Sequence, residues 1–272
     1  MKIHFYGNAQ KGDVAARRAP LANEAARLGL QEVPSHEADV VIALGGDGTI
    51  LRAVHEFPST PILGLNFGGL GYLSAVGGEE AARALSLLAE GRYSISPRTR
   101  IEAHRLSDGL LVGSALNDIA IVRGLTGHAA LLDLSIDGHL VTRYMADGLV
   151  VATPTGSTAY SLAAGGPVVM PDSPSLVVTP MNPHALGVRP LVVRDAVRLV
   201  VRVVARTDGN EVCVGVATDG RNVLTLKPGE GVEIATSEQT ASLVTLEGHD
   251  PYDILARKLG WNGNLVSRGA RS

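Results

Sequence analysis

The chain has 272 residues, is 45% hydrophobic but only 4% aromatic, and carries a formal net charge of −3. Such a length holds one large or two medium domains. The apolar content, mostly Val, Leu, Ala and Ile, excludes a disordered chain. Lys2, Lys11, Lys227 and Lys258 are the only lysines and no basic stripe is visible, which speaks against a nucleic-acid partner.

Met1–Gly7 reads as the start of a first strand, Lys2–Tyr6, and lacks the long apolar region of a secretion signal. No stretch reaches the length of a membrane span, so the expectation is a soluble cytoplasmic protein with no membrane partner. Asp13–Leu28 predicts a helix closed by Gly29, with Pro20 as a point where it kinks or splits. Asp39–Leu44 predicts a central strand, Thr49–Phe57 a helix, Pro61–Asn66 a strand, and Glu79–Glu90 a helix closed by Gly91. Short buried strands between helices predict a parallel α/β sheet, Rossmann-like in architecture, over residues 1–92.

The texture changes after Gly91. Strands are predicted over Tyr93–Leu106, Leu110–Val122, Ala130–Ile136, Leu140–Tyr144, Leu149–Thr153, Ser175–Thr179, Val197–Arg206, Val212–Ala217, Asn222–Leu226 and Val232–Thr236. Turn signals lie between them at Asp108-Gly109, Asp137-Gly138, Asp208-Gly209, Asp219-Gly220 and Pro228-Gly229. This describes a β-rich, sandwich-like domain over residues 93–245, followed by a helical tail, 246–272, returning to the first domain. The single cysteine, Cys213, excludes an internal disulfide and fits a reducing compartment. In its alternating run it reads as a small core residue.

The densest signal is Val40-Val41-Ile42-Ala43-Leu44-Gly45-Gly46-Asp47-Gly48-Thr49, a buried-type strand that ends in three glycines around one aspartate. Glycines at a strand–helix junction let backbone N–H groups approach a phosphate, and the helix N-terminus favours negative charge. An aspartate there repels phosphate unless it accepts a proton or organises a metal ion. The alternative is a plain corner with Asp47 as helix cap. A second cluster, Asp147-Gly148 through Thr153-Pro154-Thr155-Gly156-Ser157-Thr158-Ala159-Tyr160-Ser161 and on to Gly165-Gly166-Pro167, offers hydroxyls and small side chains for a ligand lying against the backbone. Together the two segments suggest a nucleotide held between two domains. Asn117-Asp118 interrupts an apolar strand, and adjacent amide and carboxylate groups there call for partners.

Absent patterns narrow the chemistry. The sequence has no G-x-x-x-x-G-K-[ST] phosphate loop, no G-x-G-x-x-G, no G-x-S-x-G, and no H-E-x-x-H or paired-cysteine pattern. His184, in Asn182-Pro183-His184, reads as structural.

These motifs, with Asn66-Phe67-Gly68-Gly69-Leu70-Gly71-Tyr72-Leu73, Pro183-His184-Ala185-Leu186 and Arg189-Pro190, occur in the order found in the NAD kinases, which the chain resembles over roughly residues 40 to 220. The glycine–aspartate turn alone is shared with diacylglycerol and sphingosine kinases and with phosphofructokinases; the T-P-T-G-S-T-A-Y run is far more specific. The resemblance implies transfer of the terminal phosphate of ATP to the 2′-hydroxyl of the adenosine ribose of NAD, giving NADP. Asp47 then matches the proton acceptor. Gly46, Gly48, Asn66 and Tyr72 match cofactor contacts around it. Asn117 and Asp118 match the pair binding NAD ribose and amide groups, and Asp147 the acidic residue at the nicotinamide end. Ser157, Thr158, Ala159, Tyr160, Ser161, Leu162 and Ala163 match the segment around adenine and ribose. Magnesium accompanies the donor, its protein ligands unassigned, and family members are homodimers or homotetramers in which a partner subunit completes the site. A lipid-type kinase of the same superfamily and a non-catalytic dinucleotide sensor are the alternatives.

The chain departs from the family pattern at several positions. Asp118 stands for a usual Glu, Ala163 for a frequent Ser, and Phe67 and Gly69 for Arg and Asn. Met145 stands where many bacterial members carry Arg. Regular strand alternation would then set Arg143 and Asp147 on one face, with Arg143 supplying the missing charge; the alternative is that Arg143 is a solvated strand-edge residue.

Overall fold

The computed structural model describes residues 1–7, 12–67, 71–74, 76–77, 80–124 and 128–261. Gly68, Gly69 and Leu70 of the Asn66–Leu73 motif lie outside the described residues. The chain divides into two compact units, residues 1–97 with 241–272, and residues 98–240.

In the first unit the order is β1 (Lys2–Gly7), α1 (Gly12–Arg27), β2 (Gln31–Glu32), β3 (Val40–Leu44), α2 (Asp47–Glu56), β4 (Ile62–Asn66), β5 (Val76–Gly77), α3 (Ala81–Ala89) and β6 (Tyr93–Arg98). Seven strands form one sheet in the order β2-β1-β3-β4-β19-β6, with β5 also on β4 and with β19 (Ala241–Leu246) supplied by the far end of the chain. The pairings of β1 with β2 and β3, and of β4 with β3, β5 and β19, are parallel. All five residues of β3 and of β4 are buried, as a parallel sheet covered on both faces requires. Ile3, Ile42, Leu63 and Leu65 pack with Leu85 and Leu88 of α3 and Val244 of β19. Helix α1 runs on through Pro20 rather than splitting there. The tail helix α5 (Pro251–Lys258) is capped by Asp250, which accepts the Tyr252 N–H at 2.9 Å.

The second unit holds β7 (Ile101–Arg105), β8 (Leu111–Ala115), β9 (Asp118–Arg123), β10 (Ala130–Ile136), β11 (His139–Ala146), β12 (Gly148–Ala152), the short helix α4 (Tyr160–Ala163), β13 (Ser175–Met181), β14 (Leu191–Arg194), β15 (Leu199–Val203), β16 (Val214–Thr218), β17 (Arg221–Leu226) and β18 (Gly231–Thr236). They form two six-stranded sheets, β11-β10-β15-β18-β7-β8 and β14-β13-β12-β9-β16-β17. Alternate residues of both, among them Leu132, Leu134, Val201 and Ile234 from one and Ile119, Ile121, Val151 and Val178 from the other, share one core, so the unit is a sandwich. The fold is therefore α/β followed by all-β.

Four expectations differ in the structure. The predicted strand Tyr93–Leu106 is two strands in different sheets, split at Thr99-Arg100. The division between units accordingly falls at 97/98 and 240/241, where the sequence reading placed it at 92/93 and 245/246. Leu110–Val122 is likewise split, because Leu116 and Asn117 cross from one sheet of the sandwich to the other. Cys213 is half-buried rather than a core residue; its neighbours Val212 and Val214 fill the core instead.

Candidate functional site

In the first unit, β3 delivers the chain to Gly46, the residue that caps α2, and Asp47 is the first helical residue. The capping reading of Asp47 fails: its carboxylate leaves its own helix. Oδ2 accepts the Tyr72 N–H at 2.9 Å and Oδ1 the Leu73 N–H at 3.2 Å. Gly71 makes this approach possible, since a Cβ at that position would run into Asp47 Oδ1 and Ser74 Oγ. Two backbone donors thus fix the carboxylate while it stays half-exposed beside exposed Gly48. Buried Asn66 ends β4 next to Gly46. Burial and the Asp47 charge raise the Tyr72 phenol above its usual range, and the Lys258 ammonium lies 5.4 Å from the Tyr72 ring centre. The structure therefore gathers Gly46, Asp47, Gly48, Asn66 and Tyr72 around the N-terminus of one helix, an anion-favouring position.

In the second unit, the segment after β12 folds back onto Asn117. Thr153 N–H donates to Asn117 O at 2.9 Å, and Thr153 Oγ1 donates to Leu116 O at 2.5 Å while accepting the Gly156 N–H at 3.1 Å. Gly156 lies against the Asn117 backbone so closely that no Cβ fits there. The Asp118 carboxylate accepts the Tyr160 N–H; burial and the neighbouring Asp219 charge push its pKa up to about 7. Two buried polar atoms of this corner, Asn117 Oδ1 and Thr155 Oγ1, have no hydrogen-bond partner, which leaves them open to one from a ligand. Thr155 escaped the sequence reading, although it sits inside the specific motif.

The side chains of Ser157 and Ser161 are fully buried and their hydroxyls hydrogen-bonded within the protein, where the sequence expects ligand groups. Ser157 Oγ donates to Pro154 O at 2.7 Å and accepts the Val169 N–H at 3.0 Å, and Ser161 Oγ is 2.8 Å from Thr179 Oγ1. Thr158, Ala159 and Leu162 are half-buried, and Tyr160 and Ala163 exposed, leaving these five as the accessible part of the segment.

Asp147 is the single residue between β11 and β12. Its Oδ2 accepts from Asn182 Nδ2 at 2.9 Å and its Oδ1 from Arg123 Nε at 2.6 Å; these bonds hold its pKa below the usual carboxylate range. Arg143 is not beside it. The Arg143 guanidinium makes a two-pronged pair with Asp133 on β10, at 2.6 and 2.8 Å. The expected Arg143–Asp147 neighbourhood is thus corrected to Arg123–Asp147, and the sequence reading missed both Arg123 and Asn182. Nor does one chain bring Asp147 to Asn117 and Asp118. Asp118 pairs with Ala152 and Val122 with Gly148, so the two groups mark opposite ends of the β9–β12 ladder. At about 3.4 Å per residue the separation along the strand is roughly 17 Å.

A helix N-terminus that holds an aspartate in the first unit, and a hydroxyl-rich corner with unpartnered acceptors in the second, are each features that a phosphotransferase acting on a nucleotide uses. Comparison makes the class specific. The ATP-NAD kinase N-terminal domain matches residues 8–93 and the ATP-NAD kinase C-terminal domain residues 116–246. The chain belongs to the ATP-NAD kinase family. It is 43% identical over 227 residues to the NAD kinase of Symbiobacterium thermophilum, covering 82% of this chain and 79% of that one. Among solved structures it is similar to an Archaeoglobus fulgidus NAD kinase in complex with ATP, with a TM-score of 0.78, 26% identity, and 96% and 99% of the two chains covered. The fold is shared with yeast NADH kinase complexed with NADH, with a TM-score of 0.85, 24% identity, and 100% and 90% covered.

Proposed function

We propose that the chain is an NAD kinase, transferring the terminal phosphate of ATP to the 2′-hydroxyl of the adenosine ribose of NAD to give NADP. The observation that carries this reading is Asp47, a carboxylate held half-exposed by two backbone N–H groups at a helix N-terminus. A ribose hydroxyl becomes an adequate nucleophile as its proton leaves, and Asp47 is the group to take it. The glycine turn and the N-terminus of α2 hold donor phosphates. Asn117, Asp118 and Thr155 hold the acceptor, with Thr158, Ala159, Tyr160, Leu162 and Ala163 packing around its base and ribose. Retention of an aspartate beside phosphate distinguishes this reading from a sensor that only binds, since binding alone gains nothing from that charge.

Magnesium belongs with the donor. No group of three His, Cys, Asp or Glu among the described residues forms a metal-holding cluster. Asp47, at the glycine turn, is the residue that would meet a cation carried by the triphosphate, and the ion would supply neutralisation of phosphate charge. The roughly 17 Å between Asp118 and Asp147 supports a homodimer or homotetramer in which Asp147 serves the site of a partner subunit. No helix among the described residues is long and apolar enough to cross a membrane; we place the enzyme in the cytoplasm. A coupled assay of NADP formation from NAD, ATP and magnesium tests the activity. Absence of NADP with ATP, other triphosphates and polyphosphate alike would overturn it.

A further inference from the structure

Asp219 reads in the sequence as nothing more than the first residue of an Asp-Gly hairpin turn. In the structure it joins β16 to β17 with φ at +46°, a left-handed conformation that side chains other than Asn and Asp rarely adopt. Its carboxylate reaches the backbone of the crossing between the sheets. Oδ2 accepts the Leu116 N–H at 2.9 Å, and Oδ1 accepts the Asn117 N–H at 2.8 Å and the Asp118 N–H at 3.3 Å. The Asp219 N–H in return donates to Asp118 O at 3.0 Å. These three residues are where the chain crosses between the two sheets, leaving the backbone without ladder partners on that side. On the other side the carbonyls of Leu116 and Asn117 are taken by Thr153. The crossing is therefore clamped from both sides.

We propose that Asp219 is a positioning residue of the NAD site: its carboxylate gathers the backbone of Leu116, Asn117 and Asp118 and so sets the Asn117 amide and the Asp118 carboxyl in binding geometry. The inference rests on the NAD kinase reading. Asp219 touches the backbone of the binding residues and acts through them. It has a second effect, because among the described residues Asp219 is the charged group that shifts Asp118, while the Tyr160 N–H bonds the carboxylate and uncharged Ala152 pairs with it across the ladder. Removing the Asp219 charge therefore makes Asp118 easier to ionise.

The experiment compares Asp219→Gly and Asp219→Asn with wild type in steady-state kinetics against NAD and ATP from pH 5.5 to 8.5. Glycine keeps the left-handed turn unstrained while deleting the carboxylate; asparagine keeps the turn and one acceptor oxygen but no charge. Asp137→Gly is the control, since Asp137 is another left-handed turn residue (φ +49°) whose Oδ1 caps a single N–H, that of Arg198, in the same unit. The NAD KM should rise at least about tenfold in Asp219→Gly and less in Asp219→Asn, with the ATP KM and kcat within about threefold of wild type and Asp137→Gly unchanged. The wild-type NAD KM should change across a step near pH 7, and in Asp219→Asn that step should move to lower pH. A folded Asp219→Gly enzyme with an unaltered NAD KM, or an Asp219→Asn step at the wild-type pH, overturns the proposal. So does an equal rise in the ATP KM. A wild-type protein that forms no NADP overturns the NAD kinase reading instead.

Discussion

Arg123 Nε, at the end of β9, lies 2.6 Å from Oδ1 of Asp147, the residue at which β11 of one sheet passes into β12 of the other. Asn182 closes the other oxygen of the same carboxylate. A chain with methionine at position 145 therefore supplies a cation to Asp147 from β9 rather than from β11.

That pairing separates two arginines experimentally. Arg123→Ala removes the arginine partner of Asp147 and leaves the Asn182 bond and the His184 charge, and both side chains of the pair are about a third exposed, so solvent screening limits the loss. An effect on the order of 1 kcal/mol, about fivefold in the NAD KM and diminishing with added salt, is expected. Arg143→Ala removes only a pair with Asp133 and should leave NAD kinetics and their salt dependence unchanged. The reverse pattern would return Arg143 to the site.

Asp47→Asn tests the base. Asparagine retains one oxygen for the Tyr72 or Leu73 N–H but cannot take the hydroxyl proton. The NAD KM should stay near wild type while kcat falls at least about a hundredfold, the usual contribution of a general base. Turnover within a few-fold of wild type would remove Asp47 from that role.

Much of this was legible locally. The Val40–Leu44 strand with its glycine–aspartate end is a run of neighbours in sequence, and so are the T-P-T-G segment and the Asn117-Asp118 interruption. What stayed hidden depends on chain crossings. Alternation from Arg143 through Met145 holds inside β11, where both are exposed and Tyr144 and Ala146 are buried. It does not carry to Asp147, because the strand ends one residue earlier and the chain changes sheets there. Arg123, Asn182 and Asp219 reach their partners across 24, 35 and about 100 residues, and no local spacing marks such contacts. The same holds for β19, whose parallel pairing with β4 joins Leu243 to Ile62.

Thr155→Val removes only a hydroxyl. Thr155 Oγ1 is buried and unpartnered in the unliganded protein, a state that costs on the order of 1–3 kcal/mol. The substitution should hold or raise the melting temperature while raising the NAD KM several-fold. A higher melting temperature with unchanged kinetics would assign the hydroxyl no contact with substrate.

Asp118 makes stability depend on pH in a direction opposite to most carboxylates. Burial first, and then the Asp219 charge, raise its pKa from 3.8 to about 7 in the folded protein, against a partly compensating bond from the Tyr160 N–H. Between roughly pH 4 and pH 7 the folded state holds a proton that the unfolded chain has lost, so stability falls as pH rises through that window and levels off above it. Asp118→Asn keeps the size and an acceptor for Tyr160 but has no charge to bury. The variant should match wild type near pH 4 and be more stable at pH 8. A gain of on the order of 1–3 kcal/mol corresponds to several degrees in melting temperature for a chain of this length. The measurement is thermal unfolding of both proteins at pH 4.5, 6 and 8 with no nucleotide present. A difference between them that is flat across the three pH values would mean that Asp118 is already ionised in the fold, with water or an unassigned donor compensating its charge.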